Sequence, residues 1–133
     1  MSRVFVNGSF DCLHVSHVRL LQFARKQGDR LIVGLNSDES VRRAKGDGRP
    51  IIPEDQRREM LFAFGASDVI VFDEQTPIEV VKDVRPDVLV VSSHYGTDCE
   101  SCHHVLGYGG RVVQAPDCGD VTTSGIIERI RGL

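Results

Sequence analysis

Two histidines, an aspartate and a glycine lie close together near the start of the chain, in the segment Gly8-Ser-Phe-Asp-Cys-Leu-His14-Val-Ser-His17. Residues 4–6 before it are β-branched and aromatic, which predicts a buried strand. An amphipathic helical pattern begins by Val18, so the polar segment forms a strand-to-helix turn. Because free backbone N–H groups and the helix dipole favour anions at such a turn, the segment predicts a phosphate site.

The two histidines stand three residues apart, which places them on one face of the first helical turn. From there both imidazoles can donate hydrogen bonds to the same anion. Asp11 is expected to orient a histidine or the loop. The alternative is an ordinary strand-to-helix turn that carries two surface histidines.

Strand patterns alternate with helix patterns along the rest of the chain. Strands are predicted at residues 4–6, 30–35, 68–72, 87–91 and 111–114. Helices are predicted between the strands. The first ends at Gly28, the second spans residues 39–44, and the third begins at Pro53 with Met60, Leu61 and Phe64 on its apolar face. A fourth runs through Val84, a fifth is rich in Cys and His, and the last has Ile126, Ile127 and Ile130 as its apolar stripe. This order predicts one α/β domain over residues 1–133, a Rossmann-like doubly wound fold with a five-stranded parallel sheet and helices on both faces.

Ligands of doubly wound sheets bind beyond the carboxyl ends of the strands, where the strand order reverses. Three polar segments besides the first turn follow predicted strands and so fall on that edge: residues 36–38, 92–95 and 122–124. The hydroxyls of Thr122, Thr123 and Ser124 precede a helix. They are either ordinary caps or hold the far end of a polyphosphate.

Composition bounds the class of protein. The chain has 133 residues, 41% hydrophobic and 26% charged, as in ordinary single globular domains. A net charge of −3 and a pI near 5.9 argue against non-specific nucleic-acid binding. No apolar stretch approaches the length of a membrane span and the Met-Ser-Arg start lacks a signal-peptide pattern, so a cytoplasmic location and no membrane partner are expected.

Residues 8–17 resemble the G-x-F-D-x-x-H-x-G-H signature of the cytidylyltransferase-like nucleotidyltransferases, with Ser16 where that family has glycine. Thr122-Thr-Ser-Gly-Ile-Ile127 resembles the family's C-terminal Ser-Thr-Thr-x-Ile-Ile-type motif. Over almost the whole chain the sequence is most similar to the adenylyltransferase domain of the ADP-heptose synthases. That similarity is carried by residues 28–38, Lys45-Gly-Asp-Gly-Arg-Pro50, Asp55-Gln-Arg57 and Asp73-Glu-Gln-Thr-Pro77.

The resemblance implies transfer of a nucleoside monophosphate from an NTP, with ATP favoured, to a sugar phosphate such as a heptose 1-phosphate, with release of pyrophosphate. It implies His14, His17 and Lys45 as catalytic residues, Mg²⁺ as cofactor and a homodimer. The implied nucleotide-binding residues are Gly8, Ser9, Phe10, Asp11, Ser16, Arg57, His94, Thr122, Thr123 and Ser124. The residues alone are equally compatible with Lys45 and Arg49 being solvated charges of an exposed loop.

Two alternatives remain open at this point. One is cytidylyl transfer to glycerol 3-phosphate or a related alcohol phosphate, and the other is a non-catalytic nucleotide-binding sensor. The chain departs from the ADP-heptose branch at Val91-Ser-Ser-His-Tyr95, where that branch has Lys-Gly-Gly-Asp-Tyr. His94 is thus gained, while a lysine and an acidic residue are lost, so the substrate does not follow from the reaction class.

The segment Cys99-Glu-Ser-Cys102-His103-His104 has the ligand types of a zinc site, to which Cys118 is a further candidate. Its spacing also fits covalent haem, which requires an exported chain. Partly buried thiols are the more usual role of such a pair, and with four cysteines in a chain of this kind we expect reduced thiols.

Overall fold

The computed structural model describes residues 2–133 and contains a five-stranded, all-parallel sheet in the order β3-β2-β1-β4-β5. The strands are β1 (Arg3–Gly8), β2 (Arg30–Asn36), β3 (Asp68–Phe72), β4 (Val88–Val91) and β5 (Arg111–Gln114). The helices are α1 (Val15–Arg25), α2 (Asp38–Lys45), α3 (Glu54–Ala63), α4 (Ile78–Val84), α5 (Glu100–Gly107) and α6 (Thr123–Arg131). The predicted doubly wound α/β fold is confirmed.

Two hydrophobic cores lie on opposite faces of the sheet, because alternate residues of each strand point to opposite sides. In β1, Val4 and Val6 belong to one core, with Leu21 of α1 and Leu61 of α3. Phe5, between them, belongs to the other, which α4 and α5 cover. All three strand residues are at most 2% exposed, as expected for a central parallel strand.

The strand order shows where the sheet forms the crevice at which doubly wound folds bind ligands. The chain runs from β1 through β2 to β3 on one side, then returns to β4 and β5 on the other side of β1. The order therefore reverses between β1 and β4, which pair at Val4–Val88 and Phe5–Leu89. Loops that leave the carboxyl ends of these two strands diverge and leave a crevice between them.

α1 begins at Val15, which agrees with a helical pattern that has begun by Val18, and it ends three residues before Gly28. The predicted apolar faces of two other helices are less buried than expected. In α3, Met60 and Phe64 are 40% and 46% exposed, and the buried residues are Leu61 and Arg57. In α6, Ile126 and Ile127 are only partly buried and Ile130 is 63% exposed, so residues 2–133 cover its apolar stripe only in part.

The prediction that the cysteines are reduced is also wrong for one pair, because Cys99 and Cys102 form a disulfide across the start of α5. Their sulfurs are bonded to each other and are therefore not available as thiolate ligands. Cys12 and Cys118 are free thiols. Within residues 2–133, no cluster of three or more His, Cys, Asp or Glu side chains is arranged to hold a metal ion.

The helices described above have between 7 and 11 residues. Within the described part of the chain, none is both long enough and apolar enough to cross a bilayer.

Gly34, in the middle of β2, provides a test of the packing between the two central strands. A Cβ atom at this position would lie 2.6 Å from Cζ of Phe5, whose ring is fully buried. We expect Gly34→Ala to lower the free energy of unfolding by about 1–3 kcal/mol, the usual cost of overpacking a core. Urea denaturation followed by circular dichroism measures it.

Gly107→Ala is the matched control, since a Cβ at this helical glycine would meet no atom within 4 Å. Alanine favours a helix more than glycine does, so this variant should be as stable as the parent protein or slightly more stable. Equal destabilisation by both substitutions would contradict the proposed clash with Phe5.

Candidate active site

A pocket of about 310 Å³ opens at the carboxyl edge of the sheet, where the strand order reverses. Its walls come from the turn after β1, the end of α2 and the loop that follows it, the loop after β4, and the segment between β5 and α6. Every predicted site residue except Arg57 lines it: Gly8, Ser9, Phe10, Asp11, His14, Ser16, His17, Lys45, His94, Thr122, Thr123 and Ser124. Of the four predicted edge segments, only residues 36–38 do not reach the pocket.

A larger cavity, of about 450 Å³, lies at the opposite edge, between the amino ends of β1, β4 and β5. Arg3, Asp87 and Tyr108 are among its lining residues. Two of its polar groups are engaged within the protein: Asp87 accepts the backbone N–H of Arg3 at 2.8 Å, and the Tyr108 hydroxyl donates to the Pro86 carbonyl at 2.5 Å. The smaller pocket is the better candidate site because the buried polar atoms that lack partners within residues 2–133 line it and not the larger cavity.

Unpaired polar atoms are concentrated in the smaller pocket. Within residues 2–133, the buried side-chain polar atoms without a hydrogen-bond partner are His14 Nδ1, Ser16 Oγ and Arg49 Nε. All three residues line this pocket. Since buried polar groups are almost always paired, a cluster of unpaired ones points to a polar ligand.

The turn between β1 and α1 holds an unfavourable backbone conformation. Phe10 and Cys12 both have φ of +48°, in the left-handed region that residues other than glycine seldom occupy. Such residues cost on the order of 1–3 kcal/mol each and persist only where neighbouring contacts fix them. The side chain of Asp11, between them, supplies such contacts.

Asp11 is 2% exposed, and its carboxylate accepts the backbone N–H groups of Ile51 at 2.8 Å and Ile52 at 2.9 Å. The residue thus fixes the loop between α2 and α3 against the turn after β1. Of the two predicted roles for Asp11, the structure shows the one in which it orients a loop.

Arg57 is not in the pocket, and its predicted contact with a nucleotide has no support in the geometry. Its side chain is 1% exposed and donates to the carbonyls of Ile52, Ser9 and Asn36, at 2.7–2.8 Å. A fourth bond, at 2.8 Å, pairs it with the Asp38 carboxylate. These bonds use the guanidinium within the protein, so Arg57 positions the loops that surround the site.

His14 and His17 lie on one face, as predicted, with ring centroids 3.7 Å apart and planes 19° from parallel. The backbone N–H of His14, at the N-cap of α1, donates to His17 Nδ1 at 3.3 Å. An accepting Nδ1 leaves the proton of the neutral ring on Nε2, which makes Nε2 a donor. The Phe10 ring meets His17 edge-on at 5.3 Å and restricts its orientation.

Burial lowers the pKa of both histidines. For His17 desolvation is the largest cause, the charge of His14 adds to it and that of Asp11 opposes it, which brings the pKa to about 4. Burial lowers the pKa of His14 as well. Near neutral pH both rings are therefore uncharged and act on a ligand as hydrogen-bond donors.

The three hydroxyls before α6 have different roles. Thr122 is the N-cap and accepts the backbone N–H of Gly125 at 3.0 Å, which is the ordinary capping alternative. The Thr123 hydroxyl donates to the carbonyl of Asp11 at 2.7 Å and ties α6 to the first turn. Only Ser124 is left free of such a structural bond, and its hydroxyl is 3.5 Å from a terminal nitrogen of Arg49.

Lys45 and His94 stand on separate walls of the pocket. Lys45 is the last residue of α2 and is exposed, so its amine can reach a ligand. His94 is exposed too, and its backbone N–H donates to the Ser92 hydroxyl at 3.3 Å. Ser16 is close to Gly119, whose Cβ would lie 3.6 Å from the serine hydroxyl oxygen.

Arg49 is a pocket residue that the sequence analysis treated as solvated charge. Its side chain is 18% exposed, and Nε lies 3.7 Å from the Asp11 carboxylate. The available signal was its place in the Gly-Arg-Pro segment after Lys45, which matches the ADP-heptose branch.

The structural role assigned to Arg57 is testable through stability. Arg57→Met would leave three buried carbonyls and the Asp38 carboxylate without their donor, so we expect a loss of about 3 kcal/mol or more in the free energy of unfolding. Arg58→Met, on the exposed side of the same helix, removes only a contact 5.0 Å above the Phe62 ring and should cost under about 1 kcal/mol. Chemical denaturation measures the free energy of unfolding of both variants. Similar losses of stability in the two would refute the structural role of Arg57.

The low pKa of His17 predicts a pH dependence of stability. Between the ordinary value of 6.5 and the folded value of about 4, the unfolded chain binds more protons than the folded one. Stability should therefore fall as pH drops through this window, by at most about 1.4 kcal/mol per pH unit from this group, and the loss should stop below about pH 4.

His17→Asn should lose this contribution, while the carboxylates that titrate nearby remain in both proteins. The measurement is the difference in unfolding free energy between the parent and the variant from pH 4 to pH 7, without nucleotide. A difference that does not change with pH would show that His17 is not held in its neutral form.

The chain is similar to known proteins in both sequence and fold. The sequence model of a family described as "Cytidylyltransferase-like" matches residues 5–129. The chain is 46% identical over 130 residues to "Bifunctional protein HldE" of Alcanivorax borkumensis and 47% identical over 129 residues to the protein of that name from Syntrophotalea carbinolica. Each alignment covers 96% of this chain, which spans about a quarter of each relative, 27% and 26% respectively.

Among solved structures, a lipopolysaccharide core biosynthesis protein from Thermoplasma volcanium superposes with a TM-score of 0.70 at 25% sequence identity. The superposition covers 88% of this chain and 98% of that one. The fold is thus shared over nearly the full length of both chains.

Proposed function

The chain belongs to the cytidylyltransferase-like nucleotidyltransferase family, and from that premise we propose that it transfers the adenylyl group of ATP to a sugar phosphate such as a heptose 1-phosphate and releases pyrophosphate. The observation that carries this proposal is the pair of stacked imidazoles at the N-terminus of α1, in a pocket where the buried polar atoms lack partners. The choice of ATP and of a heptose phosphate is supported by the similarity to the ADP-heptose synthase branch.

In the proposed reaction an oxygen of the acceptor phosphate forms a bond to the α-phosphorus of the NTP, and the bond to the bridging oxygen of pyrophosphate breaks. No covalent intermediate on the protein is needed, so positioning and charge stabilisation supply the catalysis. The His17 Nε2 proton and His14 would donate to α-phosphate oxygens as charge develops there. These donors are fixed by stacking before the ligand arrives, which is the condition under which such donors are most effective.

The other groups of the pocket would hold the two ends of the reacting assembly. Backbone N–H groups around Gly8, Ser9 and Phe10 would cradle a phosphate at the first turn. Ser124 and the N-terminus of α6 would hold the terminal phosphates, and Lys45 would neutralise the acceptor phosphate or the leaving group. Ser16 and His94 line the same pocket and would contact the nucleotide or the acceptor.

Mg²⁺ is part of the proposal as a component of the nucleotide complex, where it would neutralise part of the triphosphate charge. The pocket fits an ion carried by phosphates better than an ion held by a protein cage. Its acidic lining residue, Asp11, uses both carboxylate oxygens for backbone N–H groups. A homodimer is likewise proposed from the resemblance alone.

A screen for pyrophosphate release, with four NTPs against a panel of phosphorylated sugars and alcohols, tests the substrate proposal. ATP with a heptose 1-phosphate should give the highest kcat/KM. Preference for CTP with glycerol 3-phosphate would favour the cytidylyltransferase alternative, which the family name also suggests. Nucleotide binding without release for any pair would favour a sensor and overturn the proposed reaction.

His17→Ala tests the catalytic assignment. Loss of one preorganised donor to the developing charge should lower kcat by about 10²- to 10³-fold, with a smaller effect on nucleotide KM. His103→Ala is the control, because that imidazole is exposed, outside the pocket, and bonded to Asp98 at 2.5 Å. Turnover of His17→Ala near the parent rate would show that His17 does not act on the reacting phosphate.

A further inference from the structure

We propose that Arg49 is a phosphate-binding residue that holds the pyrophosphate part of the nucleotide jointly with Ser124, at the N-terminus of α6. This inference rests on the proposed function, because it assigns a residue to the leaving group of that reaction. In sequence Arg49 belongs to a segment that resembles the ADP-heptose branch, but that resemblance gives it no role. The inference comes from the hydrogen bonds that its guanidinium makes and leaves unmade.

The guanidinium of Arg49 is held inside the pocket with few hydrogen-bond partners. Its one hydrogen bond within residues 2–133 is long, 3.5 Å from Nη1 to the Ser124 hydroxyl. Nε is buried and has no partner. A guanidinium has five N–H donors, so most of its donor capacity is free although the side chain is largely shielded from water.

Asp11 attracts the Arg49 guanidinium but does not form a hydrogen bond with it. The carboxylate is 3.7 Å from Nε, close enough for attraction but too far for a hydrogen bond. Both of its oxygens already accept backbone N–H groups, from Ile51 and Ile52. Arg49 is therefore drawn toward the first turn while its donors remain available for another acceptor.

Arg57 shows what a structural arginine looks like in the same protein. That guanidinium makes four short bonds, each 2.7–2.8 Å, and is fully enclosed. Arg49, eight residues earlier, makes one long bond and faces the pocket. Because a largely buried guanidinium with unsatisfied donors is costly, the contrast indicates that Arg49 is completed by a ligand.

The class of ligand follows from the donors around Arg49. A guanidinium presents parallel N–H groups that match two oxygens of a phosphate. Ser124 lies in the first turn of α6, where free backbone N–H groups also favour anions. The proposed function already assigns the stacked histidines to the α-phosphate, so a phosphate bound by Arg49 and Ser124 is assigned to the β- and γ-positions.

The test compares ligands that contain or lack these phosphates. Isothermal titration of the full chain with pyrophosphate, ATP and AMP gives their dissociation constants without turnover. Arg49→Met should raise the dissociation constants of pyrophosphate and ATP by roughly 10- to 100-fold, the scale of a lost charge-assisted bond. The dissociation constant of AMP should change by less than about threefold. Arg49→Lys keeps the charge but not the bidentate fork and should recover only part of the affinity.

Arg42→Met is the matched control: this arginine of α2 is exposed and pairs at 3.6 Å with Glu39, away from the pocket. It should leave all three dissociation constants unchanged. Equal weakening of AMP and pyrophosphate by Arg49→Met, or no change in either, would overturn the assignment. So would a rise only in the KM of the acceptor, which would place Arg49 at the other substrate.

The pyrophosphate measurement does not depend on which base or acceptor the enzyme uses. If the release screen finds no reaction but Arg49→Met still weakens pyrophosphate selectively, the proposed transfer fails and the Arg49 site stands. If transfer is found and the variant binds pyrophosphate normally, the reverse holds.

Discussion

The enclosed guanidinium of Arg57 is the interaction on which the geometry of the site depends. It donates to the carbonyls of Ser9, Asn36 and Ile52, which belong to the turn after β1, the end of β2 and the loop before α3. Three segments that are distant in sequence are thereby fixed relative to one another. Because a carbonyl that is shielded from water needs a donor, removal of the Arg57 guanidinium would destabilise all three segments.

The same burial determines the chemistry of the histidines. Enclosing His17 beneath the first turn keeps its ring uncharged, with a pKa of about 4, and its bond to the His14 backbone selects the tautomer with a proton on Nε2. A cationic pair would repel itself at a centroid distance of 3.7 Å. The pocket therefore combines neutral, fixed donors near one helix N-terminus with positive charge on Lys45 and Arg49.

The sequence predicts the fold well because each central strand is a short, β-branched apolar run between turn residues, and these runs alternate with helical patterns, which is typical of buried parallel strands. It predicts the two histidines because their spacing maps directly onto one helical face. It fails for α3, since periodicity locates an apolar face but cannot show that a buried arginine shares it with Leu61. It also gives Arg57 a nucleotide contact and Arg49 none, because the roles of both arginines depend on acceptors brought in by tertiary structure.

The disulfide between Cys99 and Cys102 was missed for a related reason. The expected cellular location and the small number of cysteines favour reduced thiols. The disulfide depends instead on the local geometry at the start of α5, which the sequence does not show. The roles of Thr122 and Thr123 could not be separated from that of Ser124 either. Each is a small hydroxyl before a helix, and only the position of the Asp11 carbonyl shows which one is used for structure.

The hydrogen bond from Thr123 to the Asp11 carbonyl affects the order in which parts of the structure form during synthesis. It joins residues 112 positions apart, and α6, whose Ile130 is 63% exposed, has little other apolar anchorage on the domain. During synthesis the sheet can assemble once β5 has emerged, but the candidate pocket stays open on one side until residue 123 is available to close it. A growing chain would thus acquire its fold before it completes the candidate site.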